Sequence, residues 1–257
     1  MSSIRIFIDG QAILAHTVTR KLIENHGIDP KDILVNTYDK LDSLPFTNWM
    51  NSLDIKWFKS DYQNPLATQA IAEFDPDYII SAYGVRILPI TVLNLARVMA
   101  FNLHPAYLPD YKGRWIPTWT ILNGEKEHGI TFHVMAEEID AGDILYQKKI
   151  SVASDETAYS LYYKLLNEFV KEFDPFFNRL LTANIKTIPM PSGGRYFGKT
   201  IPFDGIIDPT WDFDYIEKFI RGMFFPPHTG AKLKINDRYV ECTTVQDYLH
   251  WQNKNIK

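Results

Sequence analysis

Short apolar runs alternate with longer segments of helical period through most of the chain. The apolar runs are IRIFID, DILVNTY, IKWFK, PDYIISAYG and RVMAFNLHP. Between them, QAILAHTVTRKLIENHG, PLATQAIAEFD and ITVLNLA place apolar residues at the spacing of a helix face. Strands that are apolar throughout are typical of a parallel sheet with helices on both faces. The pattern therefore predicts an α/β fold built on a mostly parallel sheet.

The second half of the chain follows a different pattern. A helical IPTWTILNGE precedes two adjacent extended runs, GITFHVM and DILYQKKISV, and then the long helical run DETAYSLYYKLLNEFVKEFDPFFNRLL. Beyond about residue 184 the chain is rich in proline, glycine and aromatic residues, with one helix in FDYIEKFIRGM and a hairpin turn at Asn236-Asp237. We therefore predict a catalytic domain over residues 1–183 and a small C-terminal α+β extension over residues 184–257.

Composition narrows the functional classes. The net charge of -4 lacks the basic excess of a large nucleic-acid interface. A single cysteine, Cys242, rules out an internal disulfide and argues against a zinc cluster. FIDGQAIL has neither phosphate-binding glycine pattern, which argues against a nicotinamide or ATP site. With no leader pattern or long apolar run, we expect a cytoplasmic protein without metal, nucleic-acid or membrane partners.

Candidate chemistry lies where one apolar run ends in Asn102-Leu-His104-Pro105. Residues i and i+2 of a strand point the same way, so the amide and the imidazole would share one side. Asp140 precedes Ala-Gly in a loop between two extended runs. An amide and a protonated imidazole can stabilise an oxyanion, and a carboxylate can orient the imidazole. These side chains suit direct acyl transfer to an amine, although each alone also fits a structural role.

The run FNLHPAYLPDYKGRWIPTWTILNGE, followed by HGITFHVMAEEIDAGDIL, resembles the formyltransferases that use N10-formyltetrahydrofolate. Asn102, His104, Pro105, Asp140 and Gly142 stand at the family's Asn-x-His-Pro and Asp-x-Gly motifs. The resemblance implies a Rossmann-like fold, with N10-formyltetrahydrofolate as cosubstrate and no metal. It also implies that Asn102 and His104 stabilise the oxyanion and that Asp140 orients His104.

The same resemblance implies that two segments hold the folate, largely through backbone groups. One is YGVRIL and the other is MAEEID. The residues concerned are Tyr83, Gly84, Val85, Arg86, Ile87, Leu88, Met135, Glu138, Ile139 and Asp140. His133 lies in the adjacent extended run, and there a structural histidine is favoured over a second base.

The amine acceptor is less constrained. The chain is most similar to bacterial enzymes that formylate amino sugars linked to dTDP, which implies a dTDP-linked 4-amino-4,6-dideoxy sugar destined for surface polysaccharide (O-antigen). Alternatives are the 3-amino sugar, methionyl-tRNA, or a degenerate folate- or nucleotide-binding module without activity. Lys112 and Arg114 are candidate pyrophosphate contacts, with Tyr111 and Trp115 as stacking faces. Packing of this loop is the alternative, and the C-terminal hairpin is a candidate homodimer contact.

Overall fold

The computed structural model describes residues 3–38, 44–84 and 86–255. The strands are β1 Ile6–Gly10, β2 Ile33–Asn36, β3 Lys56–Phe58, β4 Tyr78–Ala82, β5 Met99–His104, β6 Lys112–Gly113, β7 Glu127–Val134, β8 Ile144–Ser151, β9 Tyr196–Phe197, β10 Ala231–Ile235 and β11 Arg238–Cys242. The helices are α1 Ala12–Glu24, α2 Leu44–Ser52, α3 Pro65–Phe74, α4 Ile90–Leu93, α5 Ile116–Leu122, α6 Ala158–Leu181, α7 Phe213–Met223 and α8 Val245–Asn255, with short 3-10 turns at Pro30–Asp32 and Pro202–Gly205.

The main sheet has seven strands in the order β3-β2-β1-β4-β5-β7-β8. The pairs from β3 to β5 are parallel, and β7 runs antiparallel to β5. Strands β1 and β4 are buried along their whole length, as expected for strands covered on both faces. The predicted mostly parallel, Rossmann-like sheet is therefore confirmed.

Aromatic packing holds β5 and β7 in place, and β5 is the strand that ends in the Asn102-x-His104 motif. Phe101 of β5 and Phe132 of β7 are fully buried, and both rings contact Phe176 of α6, at centroid distances of 5.4 and 4.4 Å. Because side chains alternate along a strand, the neighbours of these phenylalanines point to the opposite side of the sheet. The long helix thus fixes the strands that carry Asn102 and His133.

The chain forms two compact units. The first comprises the described residues of 1–104, 131–147 and 167–192, and the second those of 105–130, 148–166 and 193–255. These units interleave along the chain, whereas the sequence predicts one division after residue 183, so that boundary stays a prediction.

Outside the main sheet, the sequence predicted some of the observed elements and missed others. In the second unit, β10 and β11 form the predicted hairpin, and Asn236 takes the left-handed conformation of its turn. Helices α2 and α8 and the small β6–β9 pair were not predicted. Among the described helices, none is both long and apolar enough to cross a membrane.

Candidate active site

Asn102 and His104 lie at the carboxyl end of β5, and their partners on β7 are set by the antiparallel register. Asn102 pairs with His133, and His104 pairs with Thr131. Residues paired across two strands project from the same face. Four polar side chains therefore share one face of the β5–β7 pair, and His104 is only 3% exposed.

Asp140 reaches this face from the loop between β7 and β8. Its φ of 53° is left-handed, a conformation that aspartate tolerates better than most residues. At Gly142 a Cβ would collide with the carbonyl oxygen of Val134, so only glycine lets the loop fold this closely onto the end of β7. The Asp-x-Gly spacing thus places the carboxylate over the strand pair.

One oxygen of Asp140 lies near three side chains. Oδ1 is 3.4 Å from His104 Nδ1, 3.5 Å from His133 Nε2 and 3.5 Å from Asn102 Nδ2. These distances exceed those of well-formed hydrogen bonds, and catalytic contacts often shorten only when substrate binds. The side chain of Asp140 is 8% exposed, so water screens its negative charge poorly. The Asp140 carboxylate is thus the acidic group placed beside the ring of His104.

His133 is a site residue that the sequence reading favoured as structural. Its Nδ1 lies 2.8 Å from the carbonyl oxygen of Val134, which can only accept, so Nδ1 carries the proton. Nε2 is then an acceptor in the neutral ring, and Asn102 Nδ2 donates to it at 3.2 Å. His133 thereby sets which way the Asn102 amide faces. Thr131 and His133 have the same i, i+2 spacing as Asn102 and His104. This repeated spacing is the sequence signal that could have indicated a site role for His133.

The two segments predicted to hold folate both reach the same apolar cluster. Leu88 is 7% exposed in that cluster and Met135 packs against it. Tyr83, Gly84 and Arg86 are exposed, as are Ile87 and Glu138, whereas Ile139 is half-buried. Val85 lies outside the described residues. Exposed residues beside an apolar cluster can bind a flat heterocycle.

The predicted nucleotide loop lies in the second unit. Tyr111 is 4% exposed, with its ring stacked on Phe197 and the Arg195 guanidinium 4.4 Å from its centroid. Tyr111 is therefore nearly buried beside Phe197 and Arg195, and its role as a stacking face for the nucleotide stays a prediction. Trp115 is 37% exposed and donates its indole N–H to the carbonyl oxygen of Lys199 at 3.0 Å.

The cations of the same loop differ in exposure. Arg114 is exposed and Lys112 is half-buried. Lys112 belongs to the short β6 strand, which pairs in parallel with β9. The backbone N–H of Arg114 donates to the carbonyl oxygen of Phe197 at 2.8 Å. Main-chain bonds thus hold the loop in place, and a phosphate-binding role for Lys112 and Arg114 stays a prediction.

Left-handed backbone recurs at the candidate residues. Tyr83, Tyr111, Trp115 and Asp140 have φ of 63°, 64°, 60° and 53°. Such conformations are costly for bulky side chains and concentrate at functional sites. The described residues contain no cluster of histidine, cysteine and acidic side chains arranged to hold a metal ion.

Comparison with known proteins identifies the family. The formyl transferase family model matches residues 18–172. GDP-perosamine N-formyltransferase from Brucella melitensis is 37% identical over 177 residues, which cover 69% of this chain and 68% of that protein. The chain belongs to the formyl transferase family. It is therefore an N-formyltransferase by family, as the motifs predicted.

Solved structures agree on the fold of this formyl transferase. The N-formyltransferase of Helicobacter canadensis, in complex with folinic acid and dTDP-3-aminofucose, has a TM-score of 0.76 at 22% identity and covers 92% of this chain and 86% of its own. A 4-N formyltransferase from Francisella tularensis has a TM-score of 0.75 at 23% identity, covering 93% and 96%. At these identities the similarity establishes the fold alone and does not identify the sugar or the nucleotide of this protein's substrate.

Proposed function

We propose that this formyl transferase moves a formyl group from N10-formyltetrahydrofolate to the amino group of a nucleotide-linked 4-amino-4,6-dideoxy sugar. The observation that supports it is the convergence of Asn102 and His104 on Asp140, whose Oδ1 lies 3.5 Å from Asn102 Nδ2 and 3.4 Å from His104 Nδ1. The Helicobacter structure contains folinic acid and dTDP-3-aminofucose, which are a folate and a nucleotide-linked amino sugar, and these are the two ligand classes that the proposed reaction needs.

The proposed reaction passes through a tetrahedral carbon. The neutral amine attacks the formyl carbon, and the carbonyl oxygen becomes an oxyanion that accepts from Asn102 and from protonated His104. Asn102 Nδ2 donates one N–H to His133, and its other contact among the described residues is the long one with Asp140, so the second N–H can turn to the oxyanion. The C–N10 bond then breaks, and the proton lost by the amine is delivered to N10 of tetrahydrofolate.

Asp140 acts in this scheme through charge. As a nearly buried carboxylate beside His104, it favours the imidazolium that the oxyanion needs. It also orients the ring through Nδ1, so that Nε2 is the nitrogen directed at substrate. Loss of the carboxylate would therefore weaken both the charge and the position of His104.

Two further points concern the use of the product and the nucleotide to which the sugar is linked. We propose that the product serves surface polysaccharide synthesis and that the hairpin of β10 and β11 mediates a homodimer. The carrier base is a separate question, because the sequence predicts dTDP, while the Brucella relative is named for a GDP-linked sugar.

The test is formyl transfer by the purified protein. It would be incubated with N10-formyltetrahydrofolate and a panel of GDP-, dTDP- and UDP-linked amino sugars, with the amine at C3 or C4. We expect tetrahydrofolate and an N-formylated sugar nucleotide to form in equal amounts with a C4 amine. Folate binding without product from any member of the panel would contradict the proposal.

A further inference from the structure

One carboxylate oxygen is buried beneath the loop that follows β4. Asp9 is 1% exposed, and its Oδ2 has no hydrogen-bond partner among the described residues. A Cβ at Gly84 would collide with this oxygen, so the backbone of Gly84 packs directly against it. Gly84 belongs to the segment from Tyr83 to Leu88, which is predicted to hold folate. A buried acidic group therefore lies directly under that segment.

Gly84 is required for reasons of space and not of backbone conformation. Its φ lies outside the left-handed region, and the residue is exposed. A Cβ there would also approach Ser81 Oγ to 3.0 Å. Ser81 pairs in register with Asp9 across β4 and β1. The ends of two neighbouring strands thus set how closely the segment approaches the sheet.

Asp9 is held in place by the loop that follows β3. Its Oδ1 accepts from the Tyr62 hydroxyl and, at 3.0 Å, from Asn36 Nδ2. Asn36 also donates to the carbonyl oxygen of Ser60 at 3.1 Å and accepts from its backbone N–H at 3.0 Å. Because both donors bind Oδ1, the carboxyl is oriented with Oδ2 toward Gly84.

Arg86 and Leu88 anchor the same segment further along. Arg86 Nε donates to the Tyr38 hydroxyl at 2.5 Å, and its Nη1 lies 3.2 Å from Asp61 Oδ2. Leu88 is buried in the apolar cluster that Met135 also contacts. Of these contacts and the one at Gly84, the last is the one that includes a buried carboxyl.

We propose that Asp9 is a positioning residue for folate, which supports the Gly84 backbone from below and couples folate affinity to pH. Burial raises the pKa of Asp9 to about 6, although the bonds from Tyr62 and Asn36 and the charge of Arg86 oppose the rise. The hydroxyls of Tyr38 and Tyr62 also face this carboxyl, and burial raises the pKa of both, so they stay neutral in this range. The assignment rests on the proposed function, since it concerns the folate of that reaction.

Folate binding changes the surroundings of Asp9 in one direction. A folate on this segment would cover the exposed backbone of Gly84 and so remove the nearest water from the carboxyl. Desolvation disfavours the charged form, so the complex should take up a proton that the free protein has released. Folate affinity should therefore fall as pH rises above about 6.

The test measures binding of folinic acid to the full chain by calorimetry from about pH 5.5 to about pH 7.5. Wild-type affinity should fall about three- to tenfold across this range. Asp9→Asn keeps the size of the side chain but cannot ionise, so its profile should be flat by comparison. Tyr62→Phe removes a bond that lowers the pKa of Asp9, so it should shift the profile to higher pH. A flat wild-type profile, or one unchanged in Asp9→Asn, would overturn the proposal.

A double-mutant cycle tests the contact itself. Gly84→Ala places a Cβ against Asp9 Oδ2 and should weaken folinic acid binding about tenfold or more. Asp9→Ala removes that oxygen, so Gly84→Ala should cost much less in its background. Equal losses in both backgrounds would overturn the supporting role. If Asp9→Ala does not fold, the pH profile of Asp9→Asn decides.

Gly198→Ala is the matched control for the added Cβ. Gly198 is exposed, its φ lies outside the left-handed region, and a Cβ there would meet nothing within 4 Å. This variant should leave the affinity for folinic acid unchanged. A loss as large as that of Gly84→Ala would overturn the proposal.

Steady-state formyl transfer distinguishes failure of this proposal from failure of the proposed function. A positioning role predicts that Asp9→Asn changes the pH dependence of KM for the folate and leaves kcat within about threefold. Formyl transfer to an amino sugar with the same pH dependence of KM in both proteins would remove the role of Asp9 and retain the function. Asp9-dependent folate binding without transfer to any nucleotide-linked amino sugar would retain the role and remove the function. No binding of folinic acid by the wild-type protein would contradict both.

Discussion

The two ends of the parallel sheet use the same residue types in opposite ways. At the amino end, Asp77 accepts from the backbone N–H of Arg5 at 2.8 Å and from the Arg97 guanidinium at 2.6 and 3.1 Å. Asp75 joins both arginines, with contacts of 2.5 and 3.0 Å. These charges satisfy one another, which is what stability alone requires.

At the carboxyl end the acidic side chains have a different set of contacts. Asp140 shares one oxygen among three side chains at 3.4 to 3.5 Å, and one oxygen of Asp9 has no partner among the described residues. Unmet hydrogen-bonding capacity costs stability and is retained where a substrate supplies the missing partners. The comparison predicts which acidic residues of one sheet are structural and which interact with a ligand.

The largest expected effect is on turnover at the carboxyl end. Asn102→Ala removes an oxyanion donor, and Asp140→Asn removes the charge that favours the imidazolium. Each should lower kcat by about 10²- to 10⁴-fold, because both act on charge that develops in the transition state. Steady-state formyl transfer would measure this. A loss confined to KM, with kcat preserved, would contradict these roles.

His133 should show the next largest effect, because it orients Asn102 without contacting substrate. We expect His133→Ala to lower kcat about 10- to 100-fold with KM nearly unchanged. His133→Gln should recover part of kcat, since its amide oxygen can accept from Asn102. If glutamine gave no recovery and both variants lost thermal stability equally, His133 would be structural only.

Much of the fold and of the catalytic set followed from local sequence patterns. The apolar strands, the helices between them and the Asn236-Asp237 hairpin depend on periodicity and turn chemistry that a short segment carries by itself. The Asn102-x-His104 pair followed from strand alternation, Asp140 was a candidate from its place before Ala-Gly in a loop, and the family resemblance implied the role of each. These predictions needed no knowledge of distant contacts.

The features that were missed depend on contacts between distant segments. His133 faces Asn102 only because β7 runs antiparallel to β5 in one register, which no short segment reveals. The covered ring of Tyr111 results from Phe197 and Arg195, more than 80 residues away along the chain. Asp9 Oδ2 lacks a hydrogen-bond partner among the described residues, because Tyr62 and Asn36 both donate to Oδ1. Tyr62 and Asn36 are distant from Asp9 along the chain, so the sequence does not reveal this.

The pH dependence of the free energy of unfolding tests whether Asp9, at the carboxyl end of the sheet, is a costly buried carboxyl. Its folded pKa of about 6 lies above the ordinary 3.8, so between these values the folded state binds more protons than the unfolded chain. Stability should therefore fall as pH rises from about 4 to 6, by up to about 3 kcal/mol. Urea unfolding across this range would measure the slope. Asp9→Asn should flatten it, and an unchanged slope would contradict the assignment of this pKa.

The smallest expected effect is at the amino end. Asp77→Ala removes an acceptor that serves the Arg5 backbone and Arg97. It should lower the free energy of unfolding by about 1–2 kcal/mol and leave kcat of the folded enzyme unchanged. Urea unfolding and formyl transfer on the same preparation would test both. A fall in kcat without destabilisation would contradict a purely structural role for this end.

The most direct measurement of the central claim is single-turnover formyl transfer by His104→Asn. Asparagine keeps a hydrogen-bond donor but cannot carry the imidazolium charge beside Asp140. The rate of formyl transfer should fall at least about 100-fold, with the melting temperature and folate affinity unchanged. A variant that transfers formyl at nearly the wild-type rate would show that the carboxyl end of β5 is not where the oxyanion is stabilised.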